Sequence, residues 1–310
     1  MPNSNAPPVP VLNLPLESWE HHALYHRVRE AVSALHLYFR TETYISGILA
    51  TDLHTLNTVL GATIEDQAVS ALNAMRPMWD PDDKYKLHSF VRQPQTFPDV
   101  LFQGADRVPI LGIELKGWYL LAKEGEPSYR YKATPAACAT ADLLVVVPWA
   151  LTNVLSGSPV VFDPYVESAR YAAEVRNYHW QHVRRTQSDN TIHHPQGITP
   201  YPTRKSDQIQ DRPAADSGGN FGRFARSGFM DAFLEQKRRG LLLCGVRVDH
   251  WLKFLSVFTD KSSAAEIDSA ISSLRHEVSE SHMIEDAQKI PMLTILAEMR
   301  KLAGLPADDS

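Results

Sequence analysis

Asp99, preceded by Pro98, and the pair Glu114 and Lys116, separated by Leu115, are the residues of this chain whose types and spacing could do chemistry. Side chains alternate faces along a strand, so a strand through Glu114-Leu115-Lys116 points the glutamate and the lysine the same way and packs the leucine opposite. A hairpin joining that strand to one that starts at Pro98 brings Asp99 alongside them. Two carboxylates and a lysine converging at a sheet edge suit hydrolysis of a phosphodiester. The carboxylates hold Mg²⁺ through hard oxygen ligands, the metal neutralises the scissile phosphate and lowers the pKa of a bound water, and the lysine orients or helps deprotonate that water. Glu65, in the first turns of a preceding helix, is placed to give the metal or its water shell a third carboxylate. Glu114 follows the apolar residues Ile110, Leu111 and Ile113 and should be buried, where a carboxylate is costly without a metal or a partner. The plainer alternative puts Asp99 in a turn and leaves Glu114 and Lys116 as a solvent-facing pair on a strand.

A nucleic-acid partner is suggested separately by the distribution of charge. The chain as a whole carries a net charge of -5, yet residues 170 to 250 hold 13 Lys/Arg against 8 Asp/Glu, while residues 1 to 100 hold 7 against 11 and residues 260 to 310 hold 5 against 10. Arg170, Arg176, Arg184 and Arg185, interleaved with Tyr178, His179, Trp180 and His182, put cations and aromatic faces at a helix end, suited to phosphate contacts and base-edge readout. An ordinary solvated helix face is the alternative for this segment. A glycine-rich stretch runs from Arg204-Lys205 through Gly218-Gly219 to Gly222, and ends in Arg223 and Arg226 at the start of a helix whose backbone amides could receive a phosphate oxygen. The same glycines could simply close a loop. No Gly-Lys-Ser/Thr follows them, so this is not a nucleotide-hydrolysing phosphate loop.

Other chemistries find little support. His21-His22 and His193-His194 are adjacent pairs whose side chains point apart, Cys138 reads as core packing, and no Gly-x-Ser-x-Gly elbow exists to build a serine nucleophile. The two cysteines lie far apart without a CxxC spacing, which argues against a disulfide framework. The longest apolar stretches are broken by Asp142 and Pro148 and fall short of the roughly 20 residues that span a bilayer. Residues 1 to 10 have neither a basic region nor an apolar segment, so they read as a tail on a protein that stays inside the cell.

The elements that would position the cluster follow from periodicity. Leu16 to about Leu60 reads as two helices separated by Thr41 to Ser46. Gly61 to Met75 reads as a helix with Thr63 as N-cap, stopped by Pro77. Strands are expected at about Tyr85 to Val91, Pro98 to Phe102 and Pro109 to Leu115, then a short alanine-rich helix at Thr134 to Thr140. The continuous apolar run Asp142 to Trp149 is of the kind found mid-sheet with both faces covered. Helical periodicity returns at Asp163 to Arg185, Phe221 to Arg239, Leu241 to Phe258, Ser263 to Glu280 and Pro291 to Leu302. Trp251, Phe254, Leu255 and Phe258 form a stripe that reads as core or a dimer interface. The irregular stretch 188 to 220 is a linker or an ordered loop.

The combination Pro98-Asp99, Glu114-Leu115-Lys116 and Glu65, with the order helix, three strands, helix, strand over about residues 61 to 149, resembles the PD-(D/E)XK nuclease superfamily. The resemblance implies an α/β restriction-endonuclease-like core, a mixed sheet flanked by helices in the order αβββαβ, with helical additions at both ends. It implies that Asp99, Glu114 and Glu65 bind Mg²⁺ and that Lys116 assists the attacking water. The chain then divides into a helical region at 1–60, a catalytic core at 61–185, and a loop and helical region at 186–310 for DNA recognition or dimerisation. The large region outside the core points to a type II restriction enzyme, acting on double-stranded DNA as a C2 homodimer in a prokaryotic cytoplasm. A cognate DNA methyltransferase is the expected companion, and Arg170, Arg176, Tyr178, Arg184, Arg185, Lys205, Arg223 and Arg226 are the expected DNA contacts. A repair or mobile-element nuclease, an inactive DNA-binding module of the same fold and a small-molecule α/β enzyme are the alternatives.

Overall fold

The computed structural model describes residues 8–46, 56–93, 96–122, 125–185, 188–202, 206–216, 219–257, 263–281 and 284–305. The chain runs through α1 (His22–Ser33), the one-turn α2 (Leu35–Tyr38), α3 (Leu56–Ala74) and the one-turn α4 (Arg76–Trp79) into β1 (Ser89–Arg92), β2 (Val100–Gln103) and β3 (Pro109–Tyr119). A 3₁₀ turn at Pro135–Ala137 precedes β4 (Leu143–Leu151), β5 (Pro159–Val161), β6 (Tyr165–Ser168) and α5 (Ala169–Tyr178), which widens into a π turn at His179–Val183. Two small hairpins follow, β7 (Ile192–His193) with β8 (Arg212–Pro213) and β9 (Leu242–Leu243) with β10 (Val246–Arg247). Among them lie α6 (Asp231–Gly240), α7 (Val248–Ser256), α8 (Ala264–Glu280) and α9 (Asp286–Leu302).

The fold is α/β. Its main sheet has six strands in the order β1-β2-β3-β4-β5, with β6 also on β4. β1, β2 and β3 form an antiparallel meander, and β4 lies parallel to β3. β5 and β6 share the other side of β4, one pairing with Trp149 to Leu151 and the other with Leu143 to Val146. All nine residues of β4 are buried, as the unbroken apolar run of a strand with neighbours on both sides requires. α3 presents Leu60, Ile64, Ala68 and Leu72 at i,i+4 spacing to the core, and α1 does the same with Leu24, Val28 and Val32. A single cluster of buried apolar residues extends from Leu24 through the sheet to Met299. No helix among the described residues is long and apolar enough to cross a membrane.

Several expected elements differ. α3 begins at Leu56 and passes through Thr63, which is therefore helix interior and not an N-cap. Pro77 lies in the first turn of α4, where its missing N–H costs nothing. The crossover between β3 and β4 is not an α-helix. Residues 131 to 134 run extended, with Tyr131 N–H bonded to Gly222 O and Thr134 N–H to Ile209 O, which leaves room for only the 3₁₀ turn. Asp142 closes this crossover by accepting N–H bonds of 2.7 Å from both Gly112 and Ala139. The helix expected from Asp163 starts at Ala169, because Tyr165–Ser168 pairs with β4 as β6. Between Phe221 and Arg239 only Asp231 onwards is α-helical, and Phe224–Ser227 is a four-residue 3₁₀ turn. Leu241 to Arg247 forms the β9–β10 hairpin, turned by Cys244 and Gly245 with positive φ, and the helix there is Val248–Ser256. Trp251, Phe254 and Leu255 are core residues, and Phe258 lies outside the described residues.

Candidate active site

The register of the β2–β3 hairpin sets the site. Val100 pairs with Ile113 and Leu101 with Gly112, so Asp99, one residue before β2, comes opposite Glu114. Pro98 fixes the approach. A Cβ at Gly112 would stand 2.3 Å from Pro98 Cγ and 3.0 Å from Asp142 Oδ1, so only glycine lets the Pro-Asp segment lie down on β3. Asp99 Oδ2 accepts the Leu115 N–H at 2.9 Å, which holds the carboxylate against the strand. On the face shared by alternate residues of β3, Lys116 Nζ sits 2.7 Å from Glu114 Oε1 and 3.5 Å from Asp99 Oδ2, bridging both carboxylates.

The electrostatics are tense. Glu114 is only 8% exposed, and its Oε2 has no hydrogen-bond partner among the described residues. Burial, reinforced by the neighbouring Asp99 charge and only partly offset by Lys116, pushes the Glu114 carboxyl up to about 8. Burial alone would lower the Lys116 ammonium, but Glu114 and Asp99 outweigh it, so the lysine is held above its usual range and stays charged. Glu65 lies close enough to act on Lys116 electrostatically, yet its Oε2 is ion-paired with Arg92 of β1 at 3.0 Å. It does not join the other two as a third open carboxylate. Among the described residues no three His, Cys, Asp or Glu side chains gather as a metal cage. The residues that fit a hard divalent cation are therefore two, Asp99 and Glu114, and the orphaned Glu114 oxygen is the donor still lacking a partner.

The three residues open into a cleft of about 380 Å³ whose lining also holds two basic residues, Arg130 and Lys132. Asp99, Glu114, Lys116, Thr96 and Phe97 line it together with Arg130, Lys132, Ala133, Ile209 and Gln210. Sequence reasoning passed over Arg130 and Lys132. Their signal was a period of two, with Arg130 exposed and Lys132 partly so, while Tyr131 between them is buried. Partial burial and the positive charge of Arg130 hold the Lys132 ammonium below its usual range, with Arg176 and Arg212 adding to the effect.

The expected DNA contacts fare unevenly. Arg176 is corrected: it is 3% exposed and lies inside the protein. Its guanidinium donates to the carbonyls of Tyr131 at 2.7 Å and Ala133 at 3.0 Å, to Asn177 Oδ1, and to the fully buried carboxylate of Asp211 at 2.5 Å. Arg170 donates to Cys138 O, Tyr178 is half-buried beside His182, and Arg184 lies over the Trp180 ring while bonding Trp180 O. Arg185 is exposed. Arg226 pairs with Glu126 at 2.6 Å, and Arg223 is half-buried. Lys205 lies outside the described residues. The turn after Arg223 is too short to offer a helix N-terminus, so the glycines before it do not form the expected phosphate cradle. They serve the cleft wall. A Cβ at Gly219 would stand 2.6 Å from Arg130 Nη2, and one at Gly222 would stand 2.7 Å from Lys132 Cγ.

No family model, curated protein or solved structure matches the chain.

Proposed function

We propose that this chain is a Mg²⁺-dependent endonuclease of the PD-(D/E)XK, restriction-endonuclease-like kind, hydrolysing phosphodiester bonds of double-stranded DNA. The observation that carries the reading is the convergence of Asp99, Glu114 and Lys116 at one end of a cleft, with an orphaned carboxylate oxygen in their midst. The antiparallel meander followed by a parallel β4, with α3 ahead of it, accords with that core, although the second helix is reduced to a 3₁₀ turn. Asp99 and Glu114 would hold the cation. When bound, it supplies charge neutralisation at the phosphate and a more acidic water. Lys116, kept as an ammonium by its two carboxylate neighbours, acts as a donor that orients the nucleophile and the phosphate oxygens, not as a base. Glu65, ion-paired with Arg92, adds a smaller favourable charge to those of Glu114 and Asp99 at Lys116. In this reading the enzyme works as a C2 homodimer in a prokaryotic cytoplasm, paired with a DNA methyltransferase that protects the host.

A second reading has one observation in its favour: a cleft of about 380 Å³ is the size that takes a small molecule, so a phosphorylated metabolite is a possible substrate for the same groups. The experiment that separates the two is incubation of the purified protein and its Glu114→Ala variant with unmethylated phage DNA, in Mg²⁺ or EDTA. Discrete fragments that require both Mg²⁺ and Glu114 support the endonuclease. Intact DNA across several substrates, with release of phosphate from small esters, supports the second reading.

A further inference from the structure

Arg130 and Lys132 line the same cleft as the two carboxylates Asp99 and Glu114. Neither makes an ion pair or a hydrogen bond to a carboxylate among the described residues. Partial burial first and the Arg130 charge second lower the Lys132 ammonium, with Asp216 acting in the other direction, so holding the two cations together has a cost. The protein nevertheless holds them in place with considerable apparatus. The buried Arg176 guanidinium grips the carbonyls of Tyr131 and Ala133 on either side of Lys132. Asp211, which anchors Arg176, donates its own N–H to Lys132 O at 2.9 Å. Gly219 and Gly222 give up their side-chain volume so that Arg130 and Lys132 can lie over them.

We infer that Arg130 and Lys132 form a phosphate seat for the substrate, and that Arg176 is the positioning residue that sets its height against the carboxylates. A phosphodiester chain entering the cleft meets two carboxylates, and the cations of Arg130 and Lys132 in the same lining make that approach more favourable for a polyanion. The seat takes a phosphate of the DNA backbone next to the scissile one, a contact that adds affinity without reading sequence. This assignment rests on the nuclease reading, but the seat itself requires only a phosphate.

The test measures binding of a DNA duplex, of inorganic phosphate and of a nucleoside monophosphate, without divalent metal, to the wild-type protein and to Arg130→Ala, Lys132→Ala, Arg130→Lys and Arg176→Lys, with melting curves to establish folding. For folded Arg130→Ala and Lys132→Ala we expect duplex affinity to fall about 5- to 50-fold and the slope of log K against log salt to drop by about one. Arg130→Lys should restore most of both. Arg176→Lys, with its single ammonium, should weaken binding while leaving the salt slope unchanged, because it removes no phosphate contact. Wild-type binding of duplex with unaltered affinity and slope in both alanine variants overturns the seat and leaves the nuclease reading standing. Binding of phosphate or mononucleotide but not duplex, lost in the alanine variants, keeps the seat and overturns the nuclease reading. Binding of none of the three ligands overturns both.

Discussion

Glu114 and Arg176 are both ionisable and both buried, and they differ in how completely that burial is compensated. Arg176 meets two carbonyls, an amide oxygen and a carboxylate, so its burial is compensated by directed hydrogen bonds. Glu114 has a lysine on one oxygen and, among the described residues, no hydrogen-bond partner on the other, and it shares its pocket with a second carboxylate. A folded protein rarely leaves a buried oxygen without a partner. Where it does so beside a like charge and at the mouth of a cleft, the missing partner is most simply a ligand.

The comparison can be broken from either end. Removing Arg176 should have the largest effect on stability. Arg176→Ala leaves the buried Asp211 carboxylate with Asn177 and His194 as its remaining side-chain partners and should destabilise the fold by about 3–5 kcal/mol, measured by urea unfolding; a loss below about 1 kcal/mol would mean that the pair is not structural. Gly112→Ala comes next. The added methyl collides with the Pro98 ring and should cost about 1–3 kcal/mol while displacing Asp99 from Glu114, so thermal melting and any cleavage activity should fall together.

Glu114→Gln should behave in the opposite sense. A carboxyl that titrates near 4.5 when unfolded and near 8 when folded keeps its proton longer in the folded state. The stability it supports is complete below pH 4.5 and is lost as pH rises toward 8. Without metal, the wild-type protein should therefore weaken across that window, and Glu114→Gln should lack this part of the slope. Equal pH slopes for the two proteins, measured by urea unfolding at pH 5 and pH 8, would show that Glu114 ionises freely. The smallest effect is expected from Glu65→Gln, which breaks a half-exposed pair with Arg92 and should change stability by less than about 1 kcal/mol.

How much of this was legible in the sequence depended on how local its causes are. Glu114 and Lys116 share a face because strands alternate, and β4 announced itself by an apolar run with no polar side to show. The placement of Asp99 also needed the hairpin register, which the short loop between Gln103 and Pro109 favours. The basic part of the lining was not legible in the same way. Residues 131 to 134 look like the approach to a helix, and only bonds to Ile209, Asp211 and Gly222, far along the chain, hold them extended. Arg176 was misread although the signal was present: Ala169, Ala172, Ala173 and Arg176 fall on one buried stripe at helical spacing, and an arginine on that stripe points inward. The number of cations in a segment does not tell which face each one occupies. Thr63 failed as a cap for a related reason, since the apolar spacing of α3 extends to residues before it.

The most direct measurement of the central claim is a side-by-side determination of DNA binding and single-turnover cleavage for the wild-type protein and Lys116→Ala in Mg²⁺. The lysine bridges the two carboxylates without being needed to hold the sheet, so the variant should bind DNA within about threefold of wild type and cut it at least about 10³-fold more slowly, the scale of a lost electrostatic donor. Undiminished cleavage by Lys116→Ala would contradict the account and remove Asp99, Glu114 and Lys116 as its active site.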